Sequence, residues 1–86
     1  MKFKEDRPLA NRDAAVRRLL EIANGMEADQ LGRIDVGPIN IQFLQGGGSV
    51  EEYTAAVKTA TARGYITVHP SGGYITFTQE GSDLFA

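Results

Sequence analysis

An α+β domain is predicted, with three helices, a short extra strand and a C-terminal two-stranded β-hairpin. Three observations predict it. Ser49-Val50-Glu51-Glu52 has the spacing of a helix capping box. Tyr65–His69 and Tyr74–Thr78 alternate in polarity, are rich in β-branched and aromatic residues, and flank Pro70-Ser71-Gly72-Gly73. Upstream, Val16, Leu19, Leu20 and Ala23 recur at helical spacing. The chain's 86 residues suffice for one domain and not two. Residues 1–86 are therefore read as one unit, with residues 1–7 expected to be flexible.

The first helix is expected over Pro8–Asn24. Pro8 suits a first turn, and Asn24-Gly25 is a stop. Arg17 lies four residues from both Asp13 and Glu21, the spacing of a surface charge ladder. Between Gly32 and Gly37, the alternation of Arg33-Ile34-Asp35-Val36 predicts a short strand. Pro38 then opens a second helix through Ile39, Ile41, Phe43 and Leu44, which Gly46-Gly47-Gly48 ends. The third helix starts at Ser49, whose oxygen can cap the backbone of Glu52. Tyr53, Ala56, Val57 and Ala60 make its apolar face, and Arg63-Gly64 closes it. A four-residue loop in the hairpin pairs Ile66 with Phe77, Thr67 with Thr76, Val68 with Ile75 and His69 with Tyr74. Ile66, Val68, Ile75 and Phe77 then share the core face, and Tyr65, Thr67, His69, Tyr74, Thr76 and Thr78 share the outer one. After Thr78 one helical turn is expected, with Leu84 and Phe85 folding back on the core.

Composition narrows the function classes. The chain has no cysteine, which removes disulfides and thiolate chemistry and favours a reducing cytoplasmic setting. No apolar run is long enough to cross a bilayer, and no apolar signal core follows the N-terminal charges, so no membrane association is expected. The net charge of -2 is unevenly spread. Residues 1–20 hold six basic groups against three acids, and residues 21–86 hold three against eight. Nucleic-acid binders carry the opposite balance on the body of the domain.

The order helix, short strand, helix, helix, hairpin resembles that of winged-helix (winged helix-turn-helix) domains. Ala62-Arg63-Gly64-Tyr65-Ile66 looks like their helix-to-wing junction, and Thr78–Phe85 looks like the exit from the wing. Residues 60–85 also resemble a family of short, uncharacterised bacterial proteins. The resemblance implies a winged-helix-like fold and a role as a small DNA-binding regulator, with the third helix in the major groove. Winged helices also dock proteins, so the residues must decide.

Thr54, Lys58, Thr59 and Arg63 are the candidate DNA contacts. The remainder of that helix face is Glu51, Ala55 and Ala62, and the hairpin tip has no cation. Base readout and phosphate affinity both need more than this. The alternative is protein docking, with a partner or as a homodimer. Ala55, Thr59 and Ala62 form a low stripe on which a helix can pack, and Tyr65, His69 and Tyr74 form a polar-aromatic patch. A basic arm of Lys2, Lys4, Arg7, Arg12 and Arg18 is interrupted by Glu5 and Asp6 and reads as a solubilising terminus.

No catalytic residue, metal ligand set or cofactor is assigned. Gly46-Gly47-Gly48-Ser49 lacks the Lys-Ser/Thr ending of a phosphate loop. His69, the lone histidine, has no second ligand and no evident nucleophile. Glu51 and Glu52 are adjacent, so on a helix they diverge by about 100° and cannot face each other as acid and base.

Overall fold

A computed structural model describes residues 7–86. The expected fraying of the first six residues, and Lys2 and Lys4 of the basic arm, lie outside the described residues. Arg7 was grouped with the flexible terminus, yet it is held in place. Its guanidinium donates to both carboxylate oxygens of Glu52, at 2.9 and 2.7 Å, and to the carbonyl of Gly47 at 3.1 Å.

The helix expected over residues 8–24 is divided. Pro8–Ala10 forms a 3₁₀ turn, and α1 runs Arg12–Asn24. Asn11 breaks the run because its backbone is extended and its side chain accepts the amide of Ala14 at 3.0 Å, capping the new helix. Next come β1 (Ile34–Asp35) and α2 (Val36–Gln45). This helix begins two residues before Pro38, because Asp35 accepts from the amide of Gly37 at 2.9 Å and takes the capping position. Pro38 then sits in the first turn, where its missing N–H costs nothing.

The third helix, α3 (Val50–Ala62), has the expected capping box. Glu52 N donates to Ser49 Oγ at 3.0 Å, and Ser49 N donates to Glu52 Oε1 at 2.9 Å. In the connection before it, Gly48 lies against the Phe43 ring so closely that a Cβ there would collide with it. Gly48 is thus a packing requirement as well as part of the connection that follows α2.

β2 (Ile66–Val68) and β3 (Tyr74–Phe77) pair in the expected register. The extra strand does not stand apart from a two-stranded wing. β1 pairs with β3, Ile34 opposite Ile75 and Asp35 opposite Tyr74, so one antiparallel sheet of three strands forms in the order β1-β3-β2. The chain ends in α4 (Gln79–Asp83), capped by Thr78.

The core lies where α1, α2 and α3 meet the inner face of the sheet. Phe43, Leu19, Leu20, Ile39, Ile66 and Ile75 are its largest fully buried side chains. Three residues expected to be buried are not in it. Ile41 is 55%, Val68 36% and Leu84 52% exposed. Val68 ends its strand at the hairpin tip, beyond the cover of the helices. Leu84 follows the short α4 and turns outward, while Phe85 turns in and meets Phe77 edge-on at 6.2 Å.

Candidate interaction surface

On α3, Thr54, Lys58 and Ala62 are exposed, as their i, i+4, i+8 spacing requires. Lys58 makes no ion pair among the described residues. Arg63 caps the helix C-terminus, but its guanidinium reaches across to Asp13 of α1 at 2.7 Å. Asp13 therefore does not serve the expected ladder, in which Arg17 keeps only Glu21, at 3.1 Å. At the other end, Glu52 is held by Arg7, so Glu51 is the exposed acid of the first turn.

The small-residue stripe does not lie open along its length. Ala55 and Thr59 are half-buried, and only Ala62 is exposed. Ala55 lines a shallow groove with Leu9, Ala10, Arg12 and Ala15. Its small side chain serves the close approach of α3 to α1, where Ala15, Ala56 and Ala60 are buried.

Nor does the expected polar-aromatic patch form one unit. Tyr65 precedes β2 at a bend and packs against the core. It lines a groove of about 260 Å³ with Asp13, Val16, Leu20, Arg63 and Phe85, well apart from the outer face assigned to it. His69 and Tyr74 do come together. Their rings meet edge-on with centroids 5.9 Å apart, and Tyr74 is 36% exposed.

Sequence reasoning missed the rest of this surface. The Arg33 guanidinium lies 5.0 Å from the centroid of the Tyr74 ring, within cation–π range. Asp29 holds it there, accepting from Arg33 Nε at 2.8 Å and from the Arg33 amide at 2.9 Å. The same carboxylate accepts the Leu31 amide at 2.8 Å. The Arg33 backbone amide, chiefly, keeps the Asp29 carboxyl below its usual range. Residues 29–33 thus form a compact loop that presents Leu31, 72% exposed, near the Arg33–Tyr74 stack. The available signal was Asp29 and Arg33 at i, i+4, a spacing ordinarily read only on helices.

At the hairpin tip, His69 Nδ1 lies 3.1 Å from the Ser71 amide and 2.9 Å from Ser71 Oγ, and Ser71 Oγ accepts from the Gly73 amide at 3.1 Å. Among the described residues, no group of three or more His, Cys, Asp or Glu side chains is placed to hold a metal ion, and no helix is long and apolar enough to cross a membrane. Comparison of the chain with family models, curated proteins and solved structures gives no match.

Proposed function

We propose that this chain is a non-catalytic binding module with a winged-helix scaffold, and that it docks protein through the outer face of the hairpin. The element order supports the scaffold, as does a hairpin joined by the strand that precedes α2. One observation carries the docking reading: the cation at the end of α3, Arg63, is bound to Asp13 at 2.7 Å, so Lys58 is left as the exposed cation of that helix. A helix with so little positive charge gains little from phosphate neutralisation, which supplies much of the affinity for DNA. The hairpin face has instead the residues that interfaces favour, a partly exposed tyrosine and an arginine, and the loop that holds this arginine exposes Leu31.

DNA binding is the second reading, favoured by Thr54 and Lys58 being exposed on one side of α3. An NMR shift titration with mixed-sequence duplex DNA at low salt separates the two, run beside a DNA-free concentration series that tests a second copy as the docking partner. Docking predicts concentration-dependent shifts at Tyr74, Thr76 and Arg33 that Tyr74→Ala removes, and no response of α3 to DNA. Salt-sensitive shifts at Thr54 and Lys58 that Lys58→Ala abolishes would overturn docking in favour of DNA.

A further inference from the structure

We infer that the hairpin tip is a proton-sensitive latch, closed by neutral His69 and opened when that ring gains a proton. A backbone N–H only donates, and the Ser71 amide points at His69 Nδ1 from 3.1 Å. Nδ1 must therefore offer a lone pair, which places the ring hydrogen of the neutral imidazole on Nε2. The Ser71 hydroxyl, 2.9 Å from the same nitrogen, donates to it as well and accepts the Gly73 amide at 3.1 Å. One lone pair thus organises Ser71 and, through its hydroxyl, Gly73. The rest of the tip is closed by backbone bonds, His69 N to Tyr74 O and Gly72 N to His69 O, both at 2.8 Å.

Protonating Nδ1 removes that acceptor and sets the Ser71 amide against an N–H, while the Ser71 hydroxyl can turn to accept from the ring. The charged groups of the neighbouring elements are engaged elsewhere. Tyr74 of β3 meets His69 edge-on, and the other neighbour of Tyr74 is the Arg33 guanidinium, 5.0 Å from the ring centroid. Asp29 is committed to Arg33, and Asp35, opposite Tyr74 in β1, accepts the Gly37 amide. No carboxylate is bonded to His69 among the described residues to compensate a positive ring. The latch is therefore closed while the ring is neutral and opens when Nδ1 gains a proton. Its consequence for docking rests on the reading above, since Tyr74 is shared by the latch and the docking face; the latch itself does not.

The test is a pH titration followed by NMR on the whole chain, reading the His69 ring carbons and the Ser71 and Gly73 amides, with His69→Asn as control. Asparagine keeps an acceptor oxygen near the position of Nδ1 and does not titrate. The expected result is that the Ser71 amide shift tracks the ring titration and its exchange protection falls about tenfold on acidification, the loss of roughly one hydrogen bond. In His69→Asn both readouts stay constant. A ring that titrates while Ser71 remains unmoved would overturn the latch. So would a Ser71 response that persists in His69→Asn, or a ring still neutral at about pH 5. Failure of the docking reading alone would leave these amide signals intact and remove only the concentration-dependent shifts.

Discussion

Glu52 caps α3 and receives Arg7 with one carboxylate. The Arg7 guanidinium is the larger influence and the Ser49 amide the next, and together they hold the Glu52 carboxyl at about 2 against an ordinary 4.5. A carboxyl depressed in the folded state contributes stability that is present above its unfolded value and lost as pH falls toward the folded one. For Glu52 that window runs from about 4.5 down to about 2. Thermal melts across this range are expected to fall for the wild type, and to fall less steeply for Arg7→Ala, which starts from lower stability at neutral pH. A parallel pair of curves would show that Arg7 contributes nothing through Glu52. The capping half of this arrangement was legible in Ser49-Val50-Glu51-Glu52. The Arg7 half was not, because 45 positions separate the partners and no local spacing announces them.

At the scale of elements, the joint between α4 and the start of β2 is the tightest feature. Thr78 caps α4 through the Gly81 amide and donates its hydroxyl hydrogen to the carbonyl of Gly64, which brings the buried Gly81 against the Tyr65 carbonyl. A Cβ at Gly81 would strike that carbonyl, and a backbone atom cannot swing aside. Gly81→Ala is expected to destabilise by about 1–3 kcal/mol, as other overpacking changes do. Ser82→Ala, at the exposed neighbouring position, should stay within about 0.5 kcal/mol. Denaturant melts of the two variants make the comparison, and equal effects would count against the close contact. The hairpin explains itself similarly. The amides of His69 and Thr78 bond to Tyr74 and Tyr65, so the ladder places the peptide groups of Ile66 and Val68 away from β3. Ile66 is nonetheless 1% exposed, so the outer edge of β2 is covered there and resists strand addition.

The whole molecule depends on one aromatic. Phe43 is fully buried, meets Tyr53 edge-on at 5.6 Å, and lies over Gly48 at the turn between α2 and α3. It thereby ties two helices and their connection to the core. Phe43→Ala is expected to cost about 3–5 kcal/mol. In a domain this small that is a large part of the total, and the variant should be substantially unfolded in a thermal melt. A cost below about 1 kcal/mol would mean that the core closes without it.

What the sequence determined by itself is the set of elements and their local chemistry. The capped third helix, the hairpin register and the terminal turn after Thr78 all rest on interactions within a few residues, and periodicity and capping spacings report such interactions directly. Some boundaries slipped for the same local reason: Asn11 and Asp35 proved stronger caps than Pro8 and Pro38 were starts. Tertiary structure alone decided which charges remain available and which faces remain open. Arg63 went to Asp13, Arg7 to Glu52 and Arg33 to the Tyr74 ring, and Ala55 and Tyr65 were absorbed into intramolecular packing. Each of these outcomes depends on which helix lies beside which. The physical reason is that a side chain's alphabet of partners is read from its type, but its partner is chosen by proximity in the folded chain.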